Sequence, residues 1–163
     1  MAKKTKVSLT PATAWLKAQG LVFTEHVYDY VDHGGANWAA EAMGLPPHAV
    51  VKTLIMQDER GQPQCVLMHG DREVSTKQLA RDIGVKTVQP CTPEVAQRHS
   101  GYMVGGTSPF GLKKVMPVWV QETVLALPQI YINGGRRGYL VGLAPQVLTE
   151  ALGAQAVHCA VAE

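Results

Sequence analysis

Two features of the chain carry residue types suited to chemistry at a bound carbonyl or phosphate. One is Lys52, set in the apolar run VVKTLIM (50–56); the other is the glycine-rich stretch GYMVGGTSPFG (101–111). A lysine among apolar neighbours is costly to bury unless an anionic or polar group meets it. Glycines at 101, 105, 106 and 111, with Pro109, permit a tight loop whose backbone N–H groups approach a ligand closely. Together they imply a pocket of small-molecule size with one positive charge and a main-chain cradle.

Other chemistries fail on spacing. The nucleophile elbow GxSxG is absent, because Gly106-Thr107-Ser108-Pro109-Phe110 ends in Phe where Gly is required. Neither the phosphate loop GxxxxGK[ST], nor the dinucleotide motif GxGxxG, nor HExxH occurs. His26, Asp29, Asp32 and His33 fall at a spacing that suits no single helix or strand face, and read as a polar strand-to-loop segment rather than a metal site. Cys65, Cys91 and Cys159 lie far apart without a CxxC, so buried or free thiols in a reducing compartment are expected. Cys65 begins an apolar strand, where a thiol is inert. Cys91 precedes a helix N-terminus that would lower its pKa, which makes it a rival nucleophile ranked below Lys52.

The elements that must hold these residues are marked by their ends. Thr10-Pro11 caps and opens a helix that Gly20 closes; Asn37–Met43 ends at Gly44 and Ser75–Ile83 at Gly84. Thr92-Pro93 opens a helix ending before Gly101, and Pro145 opens the last, closed by Gly153. Strands are expected at Val50–Met56 and Gln64–His69, joined by a hairpin at Asp58–Gly61, and at Lys86–Gln89, Tyr102–Val104, Val115–Val120, Ile130–Asn133, Gly138–Val141 and Ala156–Val161. Asn133-Gly134-Gly135 is a turn between two of them. The short helices and hairpins predict a mixed α/β (α+β) fold, with a curved, largely antiparallel or mixed central sheet and helices packed around it, in one domain spanning residues 1–163. In the strand at 50–56, Lys52, Leu54 and Met56 share one face, and Val51, Thr53 and Ile55 the other. Spacing alone favours an edge-strand lysine turned to solvent.

Composition sets the class. Of 163 residues, 46% are hydrophobic and 17% charged, as in an ordinary globular core, and no apolar run is long enough to span a bilayer. The basic start MAKK lacks an apolar signal core, so a cytoplasmic location is expected, with no membrane partner. A net charge of +2 is too mild for a protein that coats DNA. Basic clusters occur at Lys3/Lys4/Lys6, read as solvated surface, and at Lys113/Lys114 and Arg136/Arg137, which abut glycine-rich loops where a polyanion could sit.

Three segments in register, VVKTLIM (50–56), GYMVGGTSPFGLKK (101–114) and INGGRRGYLVGLAP (132–145), resemble the YbaK/EbsC family, which includes the bacterial Cys-tRNA(Pro) deacylases; TPATAWLKAQG (10–20) and HVYDY (26–30) look like it too. The resemblance covers nearly the whole chain. It implies an editing hydrolase that cleaves the ester joining a wrong amino acid to the 3′ end of tRNA(Pro), with no metal or organic cofactor. It puts the essential lysine at Lys52, reversing the solvent-facing reading, with Thr53 beside it. The glycine loop then falls on Gly105, Gly106, Thr107, Ser108 and Pro109, continuing to Gly111, and a pocket-lining tyrosine on Tyr28. Gly105 and Gly106 are expected to offer N–H groups to the carbonyl oxygen, and Asn133 to contact the substrate. A cysteinyl substrate would attack its own carbonyl through its thiol. Partners implied are the acceptor end of mischarged tRNA(Pro) and prolyl-tRNA synthetase. The chain departs from the pattern at Asn133, where relatives often have Ser, and at Leu140 and Gly142, where polar and acidic residues are common. These departures bear on which amino acid is preferred, cysteine or another small one such as alanine. A non-catalytic docking module for tRNA or synthetase is the alternative, against which the retention of both Lys52 and GGTSPFG argues.

Overall fold

The computed structural model describes residues 9–161; the Lys3/Lys4/Lys6 cluster lies outside them. The helices begin and end where side chains satisfy their free backbone groups. Helix α1 (Pro11–Ala18) starts with a reciprocal capping box between Thr10 and Thr13. Helix α3 (Thr76–Ile83) is capped by the Ser75 side chain, and α4 (Pro93–Ser100) by that of Thr92. Helix α2 (Gly35–Met43) starts earlier than expected, and α5 (Gln146–Glu150) stops short of Gly153. Among the described residues no helix is long and apolar enough to cross a membrane.

The strands form one 8-stranded mixed sheet, ordered β1-β7-β6-β2-β3-β5-β8, with β4 also paired to β2. They are β1 (Thr24–Val27), β2 (Val50–Asp58), β3 (Pro63–His69), β4 (Val88–Pro90), β5 (Val118–Gln121), β6 (Ile130–Asn133), β7 (Tyr139–Leu143) and β8 (Gln155–Val157). β2–β3 and β6–β7 are the expected antiparallel hairpins, whereas β2–β6, β3–β5 and β5–β8 run parallel. β2 pairs along β3 from Val51 to Gln57. Its other side carries β6 at Val50–Val51 and β4 at Met56–Asp58.

Several expected strands are corrected. Tyr102–Val104 is not a strand: glycines in left-handed backbone bracket it at Gly101 and Gly105, and Tyr102 turns inward, its hydroxyl donating to the Phe110 carbonyl. The segment at 115–120 pairs only from Val118, with Val115 left 97% exposed. The last strand is shorter than Ala156–Val161, though Ala160 makes a lone bridge to Val74. β1, half-exposed and short, gives little alternation signal and was not among the expected strands.

One face of the sheet buries Val51, Ile55, Leu67, Ile132 and Val141 against α1 through Leu16 and α5 through Leu148. The opposite face carries two smaller clusters. Met56, Val66 and Met68 pack with Leu79 and Ala80 of α3, and Val50 and Leu140 pack with Ala39 and Ala40 of α2. Lys52 emerges on that second face, at the seam between them.

Candidate functional site

Lys52 is not on an edge strand. It lies in β2, opposite Met68 of β3 and one residue past the last parallel pair with β6, Val51–Ile132. Its side chain is 21% exposed, and Nζ donates to Glu73 Oε2 at 3.3 Å. By strand alternation Asn133 follows Tyr131 onto Lys52's face. Asn133 pairs with Leu140, which pairs with His26, so one row crosses four strands from β1 to Lys52. Tyr28 extends this wall. Its N–H donates to the Gly138 carbonyl, its half-buried ring packs on the α2 cluster, and burial pushes its phenol above the usual range. Thr53 points to the other face, and its buried hydroxyl is without a hydrogen-bond partner among the described residues. Lys52 and Thr53 are therefore not brought together.

The glycine loop is sewn to this wall. Asn133 Nδ2 donates to the Gly105 carbonyl at 3.1 Å, and its Oδ1 accepts from the Gly135 N–H at 2.6 Å. Arg137 Nε donates to the Val104 carbonyl at 3.0 Å while its guanidinium lies over the Tyr30 ring. Gly105 has φ +93°, and a Cβ there would stand 2.6 Å from the Tyr30 hydroxyl oxygen. A Cβ at Gly106 would meet the Arg136–Arg137 backbone at 2.8 Å, so loop and turn touch main chain to main chain.

The loop divides its labour differently from the sequence expectation. The buried Gly106 donates its N–H to the Met103 carbonyl at 2.8 Å, so it closes the turn and is not a free donor. The N–H groups of exposed Gly105 and half-buried Thr107 meet no acceptor among the described residues, as is also true of Met103, Val104 and Ser108. The Thr107 hydroxyl donates to Met103, while fully buried Ser108 accepts from the Phe110 N–H. A Cβ at Gly111 would lie 2.5 Å from the Pro11 carbonyl oxygen, so Gly111 seats the loop on α1.

The rival nucleophiles lose ground. Burial pushes the Cys65 thiol up to about 12 and Cys159 up to about 11. Cys91 does precede α4, yet burial raises its pKa against the pull of Arg98, contrary to the expected lowering. His26, Asp29, Asp32 and His33 form no metal-sized cluster. Among the described residues the one such group is His48, His69 and Asp71. There the two imidazoles stack 3.6 Å apart at 9°, so no point lies in both ring planes, where a shared ion must sit. His69 also spends both nitrogens, donating from Nδ1 to the His48 carbonyl and bonding Thr123 Oγ1 through Nε2, each at 2.7 Å.

Two site neighbours escaped the sequence. Glu73 lies 21 residues from Lys52, and only the fold brings them into contact. Tyr30 was visible in HVYDY, but its contact with Gly105 had no local signal.

The profile of the aminoacyl-tRNA editing domain family matches residues 35–151. EbsC of Enterococcus faecalis, named as a Cys-tRNA(Pro)/Cys-tRNA(Cys) deacylase, is 29% identical over 149 residues, 91% of each chain. The proline–tRNA ligase of Nitratidesulfovibrio vulgaris is 34% identical over 61% of this chain but only 16% of the ligase. A solved structure described as a trans-editing enzyme for prolyl-tRNA synthetase superposes with a TM-score of 0.83 at 24% identity, covering 95% of this chain and all of that one, which establishes the fold.

Proposed function

Because the chain belongs to the aminoacyl-tRNA editing domain family, we propose that it deacylates mischarged tRNA(Pro), with cysteine as the amino acid removed. The observation that carries this reading is the tie between Lys52's face and the glycine loop: Asn133, in line with Lys52, holds the Gly105 carbonyl, while the Gly105 N–H has no acceptor among the described residues. An aminoacyl ester is already activated, so the site needs to orient it and stabilise developing negative charge. The ester carbonyl lies toward the Gly105 and Thr107 N–H groups. Lys52 supplies the positive charge that favours an anionic transition state.

The nucleophile is the substrate's own thiol. Its sulfur bonds the carbonyl carbon, the ester C–O bond breaks, and the ribose hydroxyl departs with the thiol's proton, leaving a cyclic thiolactone and free tRNA. This route needs no protein thiol, and burial raises the pKa of all three, Cys65, Cys91 and Cys159. The acceptor end is the part of the tRNA engaged, and prolyl-tRNA synthetase is the partner that supplies tRNA choice.

The test is a panel of tRNA(Pro) charged with Cys, Ala, Ser or Pro, with Lys52→Ala and Cys91→Ser controls. Cys-tRNA(Pro) is expected to be cleaved fastest, with thiolactone as first product. Lys52→Ala should lose at least about 100-fold in kcat/KM, within the range for removing a group that stabilises developing charge, and Cys91→Ser should stay active. No turnover of any species overturns the enzymatic reading. Faster turnover of Ala-tRNA(Pro) moves the specificity, and Cys91→Ser inactivity with an active Lys52→Ala moves the chemistry.

A further inference from the structure

The Lys52–Glu73 pair is unexpected beside a site for a polyanion. A carboxylate next to the one lysine offsets the charge that would draw nucleic acid. It is also weakly held, because Glu73's side chain is 82% exposed and solvent screens such a pair. Its backbone, by contrast, is fixed. The Glu73 carbonyl accepts from the Val161 N–H at 2.8 Å, Val74 bridges to Ala160, and Ser75 donates its N–H to Cys159 at 2.7 Å before capping α3. A pinned main chain thus carries an exposed acidic group to a set place beside Lys52.

Resting on the deacylase reading, we infer that the Glu73 carboxylate receives the α-ammonium of the aminoacyl ester. In that substrate the ammonium sits two bonds from the carbonyl carbon, so one positive and one electron-rich centre lie side by side. Lys52 and Glu73 present the complementary arrangement, with opposite charges 3.3 Å apart. On binding, the protein's internal pair is exchanged for two charge-assisted contacts: Lys52 to substrate oxygen and Glu73 to substrate nitrogen. The exchange is undemanding because the half-exposed pair it replaces is weak. Glu73 is thereby a specificity-determining residue for esters with a free α-amine.

The experiment compares the preferred aminoacyl-tRNA with its des-amino counterpart, which for cysteine is 3-mercaptopropionyl-tRNA(Pro); both keep the thiol and the ester. The wild-type protein is expected to favour the amine-bearing ester. Glu73→Gln should lower the preference, the ratio of kcat/KM on the amine-bearing ester to that on the des-amino ester, about 10-fold, as for loss of one charge-assisted bond. Glu73→Asp should recover part of the preference. The side chain is exposed, so the unfolding midpoint of each variant should match the wild type. Equal losses on both substrates would show that Glu73 merely positions Lys52 and would overturn the inference, as would no loss on either. Wild-type inactivity on both esters would remove the deacylase reading as well, an outcome distinct from the others.

Discussion

At the scale of single residues, Gly105 and Gly106 look equivalent in the sequence, yet they do different work. Gly106 is buried, its N–H closes a turn, and it lets two main chains touch. Gly105 combines an N–H without an acceptor among the described residues with φ +93° and a Tyr30 ring that leaves no room for Cβ. Gly105→Ala therefore strains the backbone and displaces Tyr30 together. We expect kcat/KM to fall about 10- to 100-fold, with an unfolding free energy lower by roughly 1–3 kcal/mol, measured by deacylation kinetics and urea titration. The glycines were legible as a cradle because their spacing is local. Which N–H was free was not legible, because that depends on how the loop folds onto Asn133 and Arg137. The same limit explains Thr53: alternation put it opposite Lys52, but only packing shows that its hydroxyl ends up buried.

At the scale of elements, helix ends were the most readable feature, since a cap is a contact over three residues. Thr10 and Thr92 cap as expected, and Ser75, read as the first helical residue, is the cap of its helix. Strand limits were less readable because a partner strand decides them, and neither the short β1 nor the unpaired Tyr102–Val104 could announce its partner or its lack of one. Thr10 also reaches beyond its helix, donating from Oγ1 to the Gly134 carbonyl at 2.6 Å. It thereby ties α1 to the turn that carries Asn133, Arg136 and Arg137. Thr10→Ala removes both the cap and this tie, for an expected loss of about 1–2 kcal/mol in urea unfolding. KM should rise more than kcat falls, because the turn positions the loop without touching the reacting atoms.

At the scale of the whole molecule, fold class and the β2–β3 and β6–β7 hairpins were read correctly, whereas the parallel pairings and the β4 attachment were not, since register across long separations leaves no local mark. The molecule also carries a pH dependence. His69 is buried, and desolvation lowers its pKa from the ordinary 6.5. Its unfolded form takes up a proton near that value while the folded form resists. Stability is thus complete above about pH 6.5 and is lost as pH falls below it. Urea midpoints between about pH 8 and pH 5 should decline in the wild type and decline less in His69→Gln, the remainder coming from His26 and His99, which burial shifts the same way. One further consequence follows from the join of β1 to β7. Thr24 reaches the Gly142 carbonyl across 118 residues, so the pocket wall closes only when two distant parts of the chain meet. Contacts of such separation form late, because the entropy of closing the loop must be met first. A chain emerging from the ribosome therefore has its lysine, its hairpin and its capped helices well before it has a binding site. Editing competence is thus expected to be a late acquisition of the folding chain.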